Sequence, residues 1–569
     1  MFSTRRTFLA GTGAAGSAAL LAACGGQQTA EEQASQAAAD NEKAAEQQSE
    51  LPNTAWERLE YDQVPDGGTI TVSILQYPVN WNQSQIDGNN ADTAAVTNPM
   101  GYDQALRGDE TGKVTPNPDY IESAELISED PQKVKVVFNM KAVWGDGKPI
   151  VVADLISQWK ACNGTNKEFN VVSTEGWSSI KNIVQTDDEY TCEIEYAKKY
   201  ADWIIYTYPT LPAATTATPQ AFNTGHAEQP VPASGPFKIG SLDKNGGVIT
   251  LVRNEKWWGR APKLEQIVFR VVDQTTQPQS FANGEIDVVE IATGDVLSLA
   301  KGRQDATIQR TNGLTWTHLT INTQGADGAL GDVKVREAIA RGIDRDAIGR
   351  AVVGPLEAPI VLQNNFIFMP GQEGWEDSFG GLEYDPEAAK KILDDAGWAL
   401  NGDVREKDGK QLAFSVIVPA DTKSNSDRAR QVMTNLNAIG FKVDMQEVPS
   451  DAYFNEYISP KQFDVVTFSW VGTLFPIQSG PNKFMPESEQ NYTNLKDEKL
   501  VEINGRLQQE FDQAKRIEIA NEFSKQVASS FNVIPFYATP IIVGVKKGIV
   551  NYGASQFESV DWTAVGIKA

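Results

Sequence analysis

The sequence predicts a mixed α/β protein built from about two to four core-bearing units. Three observations carry that expectation. The chain has 569 residues, well beyond what one hydrophobic core spans; short apolar/polar alternations recur along it; and helical spacings fall between them, the pattern of sheets covered by helices. Ile70, Val72 and Ile74 alternate within Thr69–Leu75, the period of a half-buried strand, and Val134, Val136, Phe138 and Met140 repeat it. The turn Gly145–Pro149 then leads into a helix over Val152–Lys160, where Leu155, Ile156 and Trp159 share a face. Val248–Val252 and Ile267–Val272 read as strands, Gln277–Asn283 as a short helix closed by Gly284, and Ile286–Ile291 as the next strand. Helices follow over Asp332–Ile343 and Asp344–Val353. Another opens at Asp385-Pro386, where an acceptor caps the first turn and proline fits the first helical position, and Gly397 closes it. Leu412–Val418, Asp427–Ile439 and Phe441–Met445 read as strand, helix and strand. No internal repeat of fixed period is present.

The N-terminus reads as an address. Thr4-Arg5-Arg6-Thr7-Phe8-Leu9 precedes a small, apolar stretch from Ala10 to Ala23, too short to span a bilayer, and residues 1–23 are expected to be removed on export. The arginine pair resembles a twin-arginine signal, and Leu21-Ala22-Ala23-Cys24 resembles a lipobox, which makes Cys24 the expected lipidated N-terminus. Residues 24–60 are expected to be a lipidated cysteine and a tether, since Gln27–Glu50 holds almost only Gln, Ala, Glu, Ser and Asp.

Composition excludes several functions. Fifty basic against 75 acidic residues, a net charge of −25, repel nucleic acid and anionic lipid. Loss of the leader with its two arginines takes that charge to −27. His226 and His318 lie far apart and there are three Cys, scant material for a zinc site or a nucleophilic pair. No GxxxxGK[ST] loop, Gly-x-Ser-x-Gly elbow or calcium-binding loop occurs. We therefore expect no enzyme, no cofactor and no metal. Arg107-Gly108-Asp109 is too short a motif to signify adhesion. Outside the cell, Cys162 and Cys192 have only each other to oxidise with, so a disulfide is expected between them.

Five ordered segments go further: Phe138–Leu155 (FNMKAVWGDGKPIVVADL), Ser234–Glu290 (SGPFKIG to FANGEIDVVE), Thr320–Gly354 (TINTQ to DVKVREAIARGIDRDAI), Tyr384–Trp398 (YDPEAAKKILDDAGW) and Asp464–Trp470 (DVVTFSW). Together they resemble the extracytoplasmic solute-binding proteins of ABC importers, in the oligopeptide, dipeptide and nickel-binding class, over nearly the whole mature chain. The resemblance implies two α/β lobes joined by a hinge, a solute cleft between them, and an extra subdomain in the first lobe. The first lobe would take 61–99, the subdomain 100–206, the first lobe again 207–312, the second lobe 313–532, and 533–569 would return to the first. Hinge strands are expected near 311–317 and 531–537.

The resemblance also implies site residues. Trp470 would pack on the ligand, and an acid three residues later pairs with the α-amine in peptide-binding members. Thr473 stands there in this chain. A buried ammonium without a carboxylate costs several kcal/mol, so either another acid supplies the charge or the ligand has no free α-amine. Asp451, Glu456 and Asp464 are the sequence neighbours that could do so. Tyr77, Trp81 and Asn82, after the first strand, and Asn322, after the first crossing, are further expected contacts. Trp257, Trp258 and Gly235 are read as structural. The implied function is a lipid-anchored receptor on the outer face of the bacterial cell membrane. It would be monomeric, bind a peptide or peptide-like solute and deliver it to an ABC permease with its ATPases. The alternative is a surface lipoprotein of the same fold that senses a ligand or serves envelope assembly without transport, because fold does not fix function.

Overall fold

The computed structural model describes residues 51–420 and 422–568. The expected leader, Cys24 and the tract to Glu50 lie outside the described residues. The tether was expected to reach residue 60, but 51–60 are docked on the body. Asn53 donates to the Gly371 carbonyl at 2.7 Å and the Ala55 amide to that of Ala554 at 3.0 Å. Trp56 is buried, supplying the apolar anchor that the preceding tract lacks.

The first lobe begins with β1 (Thr69–Ile74). Next come β2 (Ile121–Glu129), β3 (Gln132–Phe138), helix α1 (Val152–Cys162), β4 (Ile180–Gln185) and β5 (Thr191–Tyr196). Strands β2 to β5 form their own antiparallel sheet in the order β2-β3-β5-β4. Val134, Val136 and Phe138 alternate inward on β3 to meet Leu155 of α1 and Ile194 in a core separate from the main sheet, against which Trp257 and Trp258 also pack. The expected disulfide is not formed: Cys162 and Cys192 are free, buried thiols. Cys162 packs with Leu211, Phe222 and Val231, whereas Cys192 on β5 faces the β3 core. Burial pushes both thiols up to about 12.

The chain then runs through β6 (Phe237–Asp243), β7 (Val248–Arg253), β8 (Gln266–Val271) and β9 (Val288–Glu290). Gly235 just before β6 abuts Gly101, and a Cβ on it would sit 2.3 Å from the Gly101 nitrogen. That contact supports reading Gly235 as a backbone requirement.

Strand β10 (Ala306–Ile321) enters the second lobe, followed by α2 (Val333–Gly342), α3 (Arg345–Val353), α4 (Pro386–Asp395), β11 (Ala413–Pro419), α5 (Lys423–Asn437), β12 (Lys442–Val448) and β13 (Val465–Val471). The 18-residue α6 (Gln513–Ser530) and β14 (Val533–Lys546) follow. Asp332, Asp344 and Asp385 cap α2, α3 and α4 as the sequence suggests. The second-lobe core joins Val335 and Ile339 of α2, Leu393 of α4, Val432 and Leu436 of α5, and Val416, Val465 and Ile534 from the sheet.

One sheet joins both lobes, in the order β12-β11-β13-β10-β14-β9-β1-β8-β7-β6. Residues 306–311 of β10 pair with Lys546–Ile541 of β14, while 315–320 pair with Thr539–Val533 and also with β13. Between these halves the register slips. There the two backbones approach so closely that a Cβ on Gly313 would lie 1.6 Å from the Thr539 carbonyl oxygen. The first expected crossing, 311–317, contains this slip. On β14 the residues opposite it are Thr539–Ile541, later than the expected 531–537, because Val533–Ala538 already pair along the second-lobe half of β10.

Candidate functional site

Antiparallel register sets Trp470 opposite Trp316, and Phe468 opposite His318, on β13 and β10. Directly opposed residues share a sheet face, and the rings meet there. His318 lies 4.4 Å from Phe468 and 4.9 Å from Trp316, centroid to centroid. Trp470 stacks at 5.8 Å on Tyr492 with planes 5° apart, and at 6.2 Å on His318. Trp316 and His318 are buried and Trp470 is half-buried, so Trp470 is the partly open end of this aromatic column.

The Lys483 ammonium sits over the Trp470 ring at 5.4 Å. Among the described residues no carboxylate lies within 4.0 Å of it, and burial pushes it down to about 8. Cation–π attraction offsets part of that desolvation. His318 beneath is held down to about 3, first by burial and then by Lys483 and Arg428. Its neutral ring shares Nδ1 with the Thr320 hydroxyl at 3.0 Å, and Nε2 has no partner.

The chain leaves β13 through Gly472 and Thr473. Thr473 is exposed; its hydroxyl meets that of Ser479 at 3.1 Å and its carbonyl accepts from Gln372 at 3.0 Å. Leu474 and Phe475 follow and reach the first lobe, lining one cavity of about 420 Å³ and another of about 590 Å³. The larger is flanked by Asp202 of the subdomain and Arg516 of α6, which form a buried bidentate pair at 2.9 and 2.8 Å. The Glu373 amide donates to the Thr111 carbonyl at 2.9 Å and Lys199 lies over the Phe511 ring at 5.5 Å. Second-lobe residues therefore touch the first lobe along this edge of the cleft.

Other expected contacts are placed differently. Tyr77 is half-buried, its ring edge-on to Trp81 at 6.1 Å, and burial, then Asp243 and Glu228, raise its phenol. The expectation of ligand contact is corrected for three residues. Trp81 is 1% exposed and belongs to the first-lobe core. Asn82 is fully buried, donating to the Phe222 carbonyl at 2.9 Å and accepting from the Ser84 amide at 3.0 Å. Asn322 donates to the Phe463 carbonyl at 2.8 Å and accepts from Gln324 and Asn494. Each spends its polar atoms or its ring on the fold. Asp464 is spent likewise, accepting from the Ala326 amide at 2.8 Å and the Ser415 amide at 3.0 Å. Lys483 and the Asp202–Arg516 pair went unread in the sequence, since an unpaired or paired charge is a property of its neighbours in space. Among the described residues no group of three or more His, Cys, Asp or Glu could hold a metal ion, and no helix is long and apolar enough to cross a membrane.

Comparison with known proteins supplies the context. Residues 115–492 match the bacterial extracellular solute-binding proteins of family 5, in their middle region. The chain is 34% identical over 505 residues to the oligopeptide-binding protein OppA of Mycobacterium tuberculosis, covering 88% of this chain and 85% of that one. Among solved structures, the periplasmic EDTA-binding protein EppA superposes with a TM-score of 0.80 at 25% identity, covering 92% of this chain and 99% of that one. The oligopeptide-binding protein AppA of Bacillus subtilis, in complex with a nonapeptide, shares the fold with a TM-score of 0.67 at 18% identity, over 89% of this chain and all of that one.

Proposed function

This chain belongs to the bacterial extracellular solute-binding proteins of family 5, and on that premise we propose that its interlobe cleft binds a peptide or peptide-like solute for delivery to an ABC import permease. The members of this family are transport receptors, not enzymes. The observation that carries the peptide reading is the half-open Trp470 with the unpaired Lys483 ammonium above it. A ring face suits an apolar side chain, and a cation without a carboxylate suits a ligand's own carboxylate. Kinship with an oligopeptide-binding protein over most of both chains supports the same reading.

In this reading the lobes comprise 61–312 with 533–569, and 313–532, with the subdomain at 100–206. They bend about the slip at Gly313 and the facing Thr539–Ile541, since hinge closure needs only a few residues to absorb the dihedral change. Trp470, Thr473 and Tyr77 are the sequence-expected contacts that remain. Residues 1–23 direct export, and a lipid on Cys24 holds the receptor, as a monomer, at the outer face of the membrane.

Equilibrium binding tests the proposal. Purified protein lacking the leader, titrated with peptide mixtures, is expected to melt at higher temperature, because a ligand that binds only the folded state stabilises it by mass action. Trp470→Ala should weaken binding about tenfold or more, the loss of roughly 1.5–3 kcal/mol of aromatic burial, measured at a temperature where the variant is folded, since losing the stack on Tyr492 and His318 also lowers its ligand-free melting temperature. No shift with any peptide mixture refutes the peptide reading.

A further inference from the structure

Residues 51–58 run beside the C-terminal segment 551–558, near the register slip in β10. The two segments pair at the Thr54–Ser555 bridge, and the Asn551 amide donates to the Glu57 carbonyl at 2.8 Å. Arg58 donates to Glu558 at 2.6 Å and to Glu110 at 3.1 Å, and Lys568 donates to Glu57 at 2.7 Å. With the buried Trp56 ring, these bonds fix the segment from Trp56 onward to the first lobe.

Upstream of Trp56 the partners change. The Asn312 amide, next to Gly313, donates to the Pro52 carbonyl at 3.0 Å, and its side-chain amide donates to the Leu51 carbonyl and to Asn53 Oδ1, both at 2.9 Å. Asn53 donates from Nδ2 to the Gly371 carbonyl at 2.7 Å, while its own carbonyl accepts from the Gln556 amide at 2.7 Å. The stretch around Gly371 is held on the second lobe. Met369 packs with Phe523 and Val527 of α6, and the Gly374 carbonyl accepts from Asn521 of α6 at 2.8 Å. The fit at Gly371 is close: a Cβ there would fall 2.1 Å from Asn53 Oδ1, and its φ of +86° suits glycine. Gln556 is buried and donates from its side chain to the Gly313 and Pro370 carbonyls, both at 2.9 Å. Asn53 and Gln556 therefore each join the first-lobe tail to the second lobe at the slip.

We propose that residues 51–56 form a strap across the hinge, with Asn53 as its pin, that holds the two lobes in the arrangement seen here. Rotation of the second lobe about Gly313 carries Gly371 and Pro370 with it, while Trp56 and Arg58 keep the far end of the strap on the first lobe. A displacement of about 1 Å takes a hydrogen bond of this length past its useful range, so opening breaks the bonds of Asn53 and Gln556 to the second lobe. None of Leu51–Trp56 lines either cavity beside Leu474 and Phe475. The strap therefore biases closure from outside these cavities. The inference rests on the hinged, two-lobed reading proposed above, and goes beyond it by naming what sets the balance between open and closed forms.

Single-molecule energy transfer between the lobes tests it. Dyes are placed through Leu242→Cys on the first lobe and Leu400→Cys on the second, both exposed positions, in a ligand-free chain beginning at Gln27, where Cys162 and Cys192 stay buried and unlabelled. The ratio of open to closed molecules should rise about 3- to 10-fold in Asn53→Ala, as expected for the loss of one or two net hydrogen bonds, and further in a chain beginning at Trp56, which keeps the buried ring and the Arg58 pairs. Asn53→Asp retains the acceptor for Asn312 but not the donor to Gly371, and should open like Asn53→Ala. Melting temperatures confirm that each variant is folded. Arg516→Met, which cuts the separate buried pair with Asp202, reports whether the lobes can part at all. If it opens them while both Asn53→Ala and the chain from Trp56 keep the wild-type ratio, the strap is overturned and the hinge stands, even where those variants melt at a lower temperature. A wild-type ratio in Asn53→Asp alone overturns Gly371 as the point of attachment. If no variant moves the dyes, Arg516→Met included, the hinge reading falls and the strap with it.

Discussion

Replacing Arg516 by methionine should open the protein. Arg516 on α6 and Asp202 in the subdomain are both nearly buried, with side-chain exposures of 7% and 11%, and they share two bonds of 2.9 and 2.8 Å. Removing one partner of a buried pair strands the other charge, at a cost of about 3–5 kcal/mol. The two residues belong to opposite lobes, so opening the cleft rehydrates Asp202 and the cost falls on the closed form. Three to five kcal/mol is about two to nearly four powers of ten in the closure equilibrium. Small-angle scattering should show a larger radius of gyration for Arg516→Met, and bound peptide should leave faster. The double variant Asp202→Leu, Arg516→Met buries no stranded charge and should return to wild-type compactness, because swapping a whole buried pair for apolar side chains is often neutral. An Arg516→Met protein as compact as the wild type, or a double variant as open as the single one, would refute the reasoning.

Other perturbations reach the frame of the site. Gly313→Ala places a methyl 1.6 Å from the Thr539 carbonyl oxygen and forces β10 and β14 apart, so denaturant titration should show a loss of about 3 kcal/mol; an unchanged midpoint would mean the strands separate freely there. His318, neutral in the fold and held down to about 3 against an ordinary 6.5, binds its proton in the unfolded chain first. Its contribution is complete above pH 6.5 and is lost as pH falls from there toward about 3, at up to roughly 1.4 kcal/mol per pH unit and about 5 kcal/mol in all. The stability difference between the wild type and His318→Gln should shrink across that window, and a constant difference would overturn the assignment. Cys162 and Cys192, pushed up to about 12 by burial, should resist a thiol reagent in the folded protein and react on unfolding, with reductant leaving the melting temperature unchanged; rapid labelling of folded protein would contradict their burial.

How much of this was legible in the sequence varied with the range of the forces involved. Strands β1, β3, β7 and β8 and helices α2, α3 and α4 stand within a few residues of their sequence reading, because alternation, helical spacing and Asp caps act over one or two turns. Helix α5 begins at Lys423, earlier than the expected Asp427, since its polar first turn carries no periodic apolar residue. The sixteen-residue β10 was read only as a crossing, because Asn312-Gly313 reads locally as a turn and only pairing with β14 and β13 keeps it extended. Trp81, Asn82 and Asn322 follow strands at positions where contact was expected, and packing turned them into the fold.

The sequence by itself determined an acidic, histidine-poor α/β chain with an export-type N-terminus and the ordered segments of a solute-binding family, since composition and short-range pattern survive without coordinates. Only the tertiary structure decided which charges have partners. Lys483 over Trp470 and Arg516 against Asp202 are each an ordinary charged residue in the linear chain. Whether a charge is solvated, answered or left waiting for a ligand depends on what lies within about 4 Å of it, and in a fold joining residues more than 300 positions apart, that neighbourhood belongs to the structure.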